Sequence, residues 1–258
     1  MEKISKSQVK LVKSLQLKKF RDETGLFVAE GEKCVEELRK GFEMVFRVQS
    51  TDRFTDRIQT DTLLATPTEI EQMSGLRTPQ GVIGVFKKRP IGDWSLVIGD
   101  LTLALDGVQD PGNLGTIIRT CDWFGIHTIV CSPETADCYN PKVVQATMGA
   151  LARVHVQYTD LPEWLEELKM KNEELKIYGT LLDGKDIYEV LADQRPTTND
   201  KRQIIIMGNE GNGISQAVRR YITHPICIPS YPKNVETSES LNVSIATAIV
   251  LAEFRRLT

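Results

Sequence analysis

Short apolar runs alternate with stretches of helical apolar spacing along most of the chain. Up to residue 90, the pattern predicts a small α/β unit with strands at Leu26–Ala29, Met44–Val48 and Val82–Phe86 and helices at Glu32–Arg39 and Thr68–Met73. Beyond residue 100, strands are predicted at Leu101–Leu105, Ile126–Val130, Val154–Tyr158, Ile177–Leu182, Ile204–Met207 and Ile226–Ile228, and a last helix at Ser240–Arg256. Such alternation is typical of an α/β fold with a parallel sheet covered on both faces.

A charged segment with proline and glycine, Lys87–Trp94, separates the two patterned regions and is predicted to be a linker. We therefore expect two domains, at residues 1–90 and 97–258. The chain has 258 residues, of which 41% are apolar and 26% charged. This composition is that of a globular protein and excludes collagen and disordered classes.

The five cysteines form no C-x-x-C pair, so neither a disulfide framework nor a zinc finger is predicted, and we expect no metal. No window of about 18 uncharged apolar residues is present, so we expect no membrane association. The first ten residues are too polar for a secretory signal, and the expected location is cytoplasmic.

The first 21 residues are basic, although the whole chain has a net charge of −3. They carry seven basic residues against Glu2, namely Lys3, Lys6, Lys10, Lys13, Lys18, Lys19 and Arg21. Two interpretations stay open. The segment is either an electrostatic contact for RNA phosphates or the solvated face of an amphipathic helix that buries Val9, Val12 and Leu15.

Three segments with candidate chemistry each follow a predicted strand, where open α/β sheets place their ligands. In the first, residues 105–119, a turn rich in glycine and proline leads into a helix that Asn113 is expected to cap. Arg119 lies off the apolar stripe of this helix and is expected to reach back over Gly115 towards Asn113. The alternative is a surface arginine paired with Asp122.

The second segment, residues 203–215, is a buried strand that enters a glycine loop. It is not a dinucleotide fingerprint, because Glu210 takes the place of the second glycine and would repel a pyrophosphate. The alternative to a binding loop is a tight turn without a ligand. In the third segment, Ile228 and Pro229 end a strand, and Ser240 and Asn242 precede the last helix, where capping alone would explain one of them.

Taken together and in this order, the three segments resemble the three motifs of the SpoU/TrmH family of RNA ribose 2'-O-methyltransferases, within the SPOUT superfamily. The resemblance rests on N-x-G with Arg119, then on G-N-E-G-x-G, and then on I-P followed by S-L-N-V-S. The resemblance covers about residues 100–258. Residues 27–31 and 78–82 resemble the ribosomal-protein-like, substrate-binding domain that precedes many such enzymes. The loop after Pro229 departs from the family in being longer and in lacking the usual methionine and glycine.

The resemblance implies a trefoil-knotted methyltransferase domain that binds S-adenosylmethionine and acts as a homodimer on RNA, with ribosomal RNA favoured over transfer RNA. It implies catalytic roles for Asn113, Arg119, Glu210, Ser240 and Asn242. It implies a cofactor site at Thr180, Leu181, Leu182, Gly208, Asn209, Gly211, Ile228, Pro229, Leu241 and Asn242. Two other classes stay open: an RNA-binding or assembly factor without turnover, and an α/β enzyme with a nicotinamide or nucleotide cofactor.

Overall fold

A computed structural model describes residues 2–53, 62–90, 99–192, 202–232, 235 and 240–256. Up to residue 90 its helices and strands are α1 (Lys6–Ser14), α2 (Lys18–Thr24), β1 (Leu26–Glu30), α3 (Glu32–Leu38), β2 (Met44–Ser50), β3 (Thr62–Ala65), α4 (Pro67–Met73) and β4 (Val82–Lys87). The four strands form one sheet in the order β1-β4-β2-β3. Helices α1 and α4 cover it through a core that includes Val12, Leu15 and Met73.

From residue 99 on, the elements build a second sheet. They are β5 (Leu101–Asp106), α5 (Pro111–Trp123), β6 (Thr128–Cys131), α6 (Pro141–Thr147), β7 (His155–Tyr158), α7 (Leu161–Lys171), β8 (Lys176–Asp186), α8 (Ile187–Ala192), β9 (Gln203–Gly208), α9 (Gln216–Arg219), β10 (His224–Cys227) and α10 (Val243–Arg256). The six strands are all parallel, in the order β10-β8-β9-β5-β6-β7. The predicted α/β fold with a parallel sheet is confirmed.

The strand order determines where a ligand site is expected. From β5 the chain proceeds to β6 on one side, whereas β9 is followed by β10 on the other side of the sheet. The carboxyl ends of β5 and β9 therefore border the switch point, where open α/β sheets have their binding crevice. The first two motif segments of the sequence follow these two strands.

The contacts divide the chain into two compact units, and residues 137–153 pack with the first unit, together with residues 1–92. The sequence-based boundaries had assigned this segment to the second domain. Within the first unit, Asp137 pairs with the buried Arg21 at 2.7 Å, and the ring of Tyr139 packs on Phe27. These contacts join residues more than a hundred positions apart, which sequence periodicity does not reveal.

Part of the predicted linker and most of the long loop after Pro229 lie outside the described residues, because Ile91–Trp94, 233–234 and 236–239 are not among them. Within the described ranges, no helix has both the length and the apolarity to cross a membrane. The same ranges contain no group of three His, Cys, Asp or Glu residues suited to hold a metal ion.

Candidate active site

The helix α5, which follows the turn after β5, is capped by Asp110 and not by Asn113. Asp110 is the residue before α5, and its carboxylate accepts a 2.8 Å hydrogen bond from the backbone N–H of Asn113. Pro111 takes the first helical position, where its missing N–H costs nothing. The prediction that Asn113 caps this helix was therefore wrong. Asn113 lies in the first turn, and its side chain is available for another partner.

The loop after β9 is held in shape by the side chain of Asn209. Its oxygen accepts from the backbone N–H groups of Gly211 and Asn212 at 2.8 and 3.0 Å, and its nitrogen donates to the carbonyl of Gly107 at 2.7 Å. Gly107 has a φ of 74°, a conformation that glycine adopts without strain. Asn209 thus connects the loop after β9 to the turn after β5, and its predicted cofactor contact stays a prediction.

Close backbone packing explains the glycine at position 208. A Cβ atom there would lie 2.3 Å from the backbone of Gly213, so only a glycine lets the loop fold back on the end of β9. Gly211, by contrast, is exposed on the outer side of the same loop.

The last helix, α10, is capped by Asn242. Its oxygen accepts from the backbone N–H of Ser244 at 3.0 Å and from the hydroxyl of the same residue at 2.6 Å. Capping therefore accounts for one of the two predicted residues, as expected. Ser240 is exposed and makes no hydrogen bond within the described part of the chain.

Three predicted catalytic side chains meet at the switch point. The amide nitrogen of Asn113 donates to Glu210 at 3.0 Å, and the amide oxygen of Asn113 accepts from the nitrogen of Asn242 at 3.0 Å. The capping bonds of Asn242 fix which of its atoms faces Asn113, and the carboxylate of Glu210 can only accept while it is ionised. One residue from each sequence motif thus contributes to a single polar chain on the surface.

Arg119 does not join this polar chain. It is exposed on α5, and within the described residues it has neither an ion-pair nor a hydrogen-bond partner. Among the contacts of the described residues there is no ion pair between Arg119 and Asp122, the alternative interpretation. There is also no contact between Arg119 and Asn113, which the sequence predicted. The guanidinium is left available for a partner outside the chain.

The residues predicted to bind the cofactor lie in the middle of β8, around the carboxyl ends of β9 and β10, and just before α10. Thr180 follows the last residue of β8 that pairs with β9, and its hydroxyl donates to the carbonyl of Ile206 at 3.2 Å. Leu181 packs against the core, whereas Leu182 is 80% exposed. Leu241 is also exposed, just before α10.

The end of β10 presents the half-buried residues Ile228 and Pro229. Beside them, burial raises the pKa of the Cys227 thiol, so this sulfur is neutral at physiological pH. The thiol of Cys227 therefore adds no charge to the predicted cofactor site.

Sequence reasoning missed Asp106. This carboxylate ends β5, is buried, and accepts a 2.7 Å hydrogen bond from the backbone N–H of Ser215, at the far end of the loop after β9. Asp106 and Asn209 therefore attach that loop to the β5 side at two points. An acidic residue that closes the apolar run Leu101–Leu105 was the available signal.

Comparisons with known proteins show what the chain is similar to. The SpoU rRNA Methylase family model matches residues 100–252, and the MRM3-like substrate binding domain matches residues 6–84. The chain is 31% identical over 259 residues to the 23S rRNA (guanosine(2553)-2'-O)-methyltransferase RlmP of Bacillus subtilis, covering 99% of this chain and 98% of the relative.

Two solved structures are similar over their whole length. A TrmH-family protein from Porphyromonas gingivalis has a TM-score of 0.84 at 36% identity and covers 99% of both chains. An AdoMet-bound rRNA methyltransferase from Sinorhizobium meliloti has a TM-score of 0.80 at 30% identity and covers 99% of this chain and 97% of its own.

Proposed function

Because the chain belongs to the SpoU rRNA methylase family, we propose that it transfers a methyl group from S-adenosylmethionine to a ribose 2'-hydroxyl of ribosomal RNA. The family predicted from the three motifs is confirmed by the match over residues 100–252. The observation that carries the proposal is the chain of hydrogen bonds from Glu210 through Asn113 to Asn242, which brings the three motifs together at the switch point.

The surface next to this chain of hydrogen bonds fits the cofactor. Leu182 and Leu241 expose apolar side chains, Thr180 adds a hydroxyl, and the half-buried backbone at Ile228 follows β10. Such a lining suits an adenine ring and a thioether chain, which need apolar contact and a few polar groups. The loops of the site are shaped by Gly208, Asn209, Gly211 and Pro229. The cofactor, when bound, supplies a methyl group already activated by its sulfonium.

The residues of the chain then align the hydroxyl and accommodate its proton, because an in-line transfer depends on the position of the two reacting atoms. Asn113, oriented by Glu210 and Asn242, holds the ribose. Arg119 donates to the phosphate beside the hydroxyl and orients both groups. An arginine stays protonated at working pH and cannot serve as the base, so a phosphate oxygen of the RNA takes the proton.

Ribosomal RNA is favoured over transfer RNA as the substrate, and a ribosomal substrate implies a cytoplasmic location. Two observations support this choice: the relative from B. subtilis is named for 23S rRNA, and residues 6–84 match a substrate-binding domain. The basic residues of α1 supply a first contact for RNA phosphates. Lys6, Lys10 and Lys13 are exposed, and their spacing places them on one face of the helix.

The active unit is a homodimer that pairs through α5 and α10. These helices run side by side in the same direction, since Asn242 contacts Asn113 at one end and Arg255 donates to the carbonyl of Phe124 at the other. Along this pair of helices, Trp123 is 85% exposed, and Ile245 is exposed as well. Exposed apolar residues of this size are typical of an interface core.

The trefoil knot expected from the family is supported by the pairing of β8 with β10. Pro225 pairs with Gly179, but the next residue, Ile226, pairs with Lys185. The five residues of β8 in between, 180–184, have no partner in β10, and we call this segment the arch. At Gly184 a Cβ atom would lie 2.4 Å from the backbone of Ile226, so the arch and β10 are packed backbone to backbone.

The cofactor assignment is tested by calorimetric titration with S-adenosylhomocysteine, with NAD as the control ligand. We expect one S-adenosylhomocysteine per chain and no binding of NAD. Binding of NAD alone would instead support the nicotinamide alternative. Labelled S-adenosylmethionine is then offered with ribosomal or transfer RNA, and we expect label in ribosomal RNA. Cofactor binding without transfer to either RNA would favour the assembly factor.

A further inference from the structure

The first unit contains a cavity of about 210 Å³ that the proposed chemistry does not use. Its walls come from the sheet, from the segment after α1, from the loop after α4 and from α6, and include Gln16, Val28, Glu30, Met73, Lys142 and Gln145. Pockets for drug-sized ligands run from about 300 to 1,000 Å³. This one is smaller, so its volume suits a single flat ring system between apolar walls.

Glu30 is the buried acidic group in the wall of this cavity, and only 8% of its surface is exposed. Its carboxylate accepts from the hydroxyl of Ser74 at 2.8 Å and from the backbone N–H of Gln80 at 3.1 Å. No lysine or arginine of the described chain forms an ion pair with it. Buried carboxylates are normally paired with a cation or with several donors, because burial removes their hydration.

Glu30 therefore has room for further donors. An ionised carboxylate offers about four lone-pair positions on its two oxygens, and the two neighbours do not fill them. A ligand that completes it must present hydrogen-bond donors, and two adjacent N–H groups would match the two oxygens. Among the RNA bases, guanine has this arrangement on its Watson–Crick edge, with N1–H beside the exocyclic amino group.

The rim of the cavity is suited to the rest of a nucleotide. Lys142 is exposed, and Gln145 is partly buried; within the described residues neither side chain has a hydrogen-bond partner. On another side, Gln16 lies two residues after the end of α1, and its backbone N–H bonds to the carbonyl of Lys13. The basic face formed by Lys6, Lys10 and Lys13 thus leads along α1 towards the cavity.

We propose that this cavity binds one unpaired guanine base of the RNA substrate, at a nucleotide other than the methylated one, with Glu30 accepting from the N1–H and the amino group. The phosphates of the same strand follow the lysines of α1. Recognition of a splayed base on its Watson–Crick edge is a common mode for single-stranded RNA. The proposal rests on RNA being the substrate, and it assigns a sequence-reading site to the first unit.

Met73 provides a direct reporter, because its side chain is buried in the cavity wall. The full chain is labelled with ¹³C in its methionine methyl groups, and the Met73 signal is assigned with the variant Met73→Leu. The probe is guanosine 5'-monophosphate. We expect it to shift the Met73 signal at concentrations at least tenfold lower than those needed for the adenosine, cytidine and uridine monophosphates.

Inosine 5'-monophosphate tests the role of the amino group without altering the protein. It lacks the exocyclic amine, and we expect it to bind about tenfold more weakly than the guanosine nucleotide, as for the loss of one hydrogen bond to a charged acceptor. Equal shifts with all nucleotides, or no shift with the guanosine nucleotide, would overturn the proposal.

The variant Glu30→Gln keeps the shape of the side chain but replaces one acceptor oxygen with the NH2 of an amide, which donates. We expect it to lose the preference for the guanosine nucleotide, while the other methionine signals show that the fold is intact. Glu71→Gln is the matched control, since it removes an exposed carboxylate two positions from Met73. A Glu30→Gln protein that keeps the preference would contradict the assignment.

The two proposals fail independently in this design. Met207 lies in β9, next to the predicted cofactor site, so S-adenosylhomocysteine is expected to shift its signal and leave Met73 unchanged. In methyl transfer, Glu30→Gln is expected to raise the KM for ribosomal RNA about tenfold with kcat unchanged. Loss of the Met207 response would reject the cofactor, whereas loss of the Met73 response would reject the guanine site alone.

Discussion

The side chain of Asn242 donates a 3.0 Å hydrogen bond to Asn113, which lies 129 positions earlier in the chain. The oxygen of the same amide caps α10, so the start of that helix determines which atom of Asn242 faces Asn113. Asn113 must then present its nitrogen to Glu210. The orientation of the central amide thus follows from a helix cap on one side and a carboxylate on the other.

Replacing this amide by a carboxylate should slow methyl transfer strongly without loss of the cofactor. In Asn113→Asp, a second negative charge would lie about 3 Å from Glu210, and the repulsion would move both groups. We expect kcat to fall about 100-fold, since small misplacements of reacting groups have effects of that size. Calorimetry should show unchanged affinity for S-adenosylhomocysteine.

The matched control is Asn212→Asp, which adds the same charge to the exposed loop that carries Glu210, without a side-chain bond to Asn113. It should retain near-normal turnover. If both variants were equally slow, the effect would come from the added negative charge near Glu210 and not from the loss of the hydrogen bond between Asn113 and Glu210.

Arg119→Lys keeps the positive charge but removes the planar, two-pronged donor. Because Arg119 is exposed and has no partner in the described chain, the free energy of unfolding should change by less than about 0.5 kcal/mol. Methyl transfer should fall at least tenfold, since lysine does not reproduce bidentate phosphate binding. Arg202→Lys, at another exposed arginine, serves as the control. Near-normal turnover of Arg119→Lys would reject the bidentate role.

The basic face of α1 should determine the salt dependence of RNA binding. The structure divides the basic segment, because Lys18 and Lys19 pair with Asp22 and Glu23 within α2. The triple variant Lys6→Gln, Lys10→Gln, Lys13→Gln should reduce the slope of log affinity against log salt by about 2, at roughly 0.7 per lost phosphate contact on single strands.

The comparison is Lys18→Gln with Lys19→Gln, in which the lost charges already have partners. We expect this pair to change the slope by less per lysine. An unchanged slope in the triple variant would show that the lysines of α1 form only a solvated helix face.

The buried pair of Arg21 and Asp137 should hold residues 137–153 to the first unit. The Arg21 side chain is 2% exposed and also donates to the carbonyls of Leu15 and Gln16. Arg21→Met leaves Asp137 without its cation, which typically costs about 3–5 kcal/mol for a buried pair. Urea unfolding should show a loss of this order, with faster hydrogen exchange in residues 137–153.

Lys18→Met breaks the exposed pair with Asp22 and should cost less than about 1 kcal/mol. Similar stabilities for the two variants would mean that the pair of Arg21 and Asp137 does not hold the segment in place.

The sequence was most informative where one physical signal dominated. Apolar runs located β5 and β9 to within a residue, because both strands are buried on both faces. The strand β3 was not predicted from the sequence. Arg21 was counted with the exposed cations, because its partner at position 137 is remote in sequence.

The candidate site shows the same limits. The motifs located Asn113, Glu210 and Asn242, but only the folded chain shows that they bond to one another in this order. Asp106 was overlooked, because the acidic residue at the end of the apolar run does not reveal its partner, the backbone of Ser215. The position of Arg119 outside this chain of contacts likewise depends on three-dimensional packing.

The most direct test of the central claim is the position of the transferred methyl group. Ribosomal RNA is incubated with the protein and methyl-labelled S-adenosylmethionine and is then hydrolysed with alkali, which requires a free 2'-hydroxyl next to each bond that it cleaves. Transfer to the ribose predicts label in alkali-resistant dinucleotides, and labelling about 100-fold slower with Asn113→Asp. Label recovered in single nucleotides would place the methyl group on a base and contradict the account.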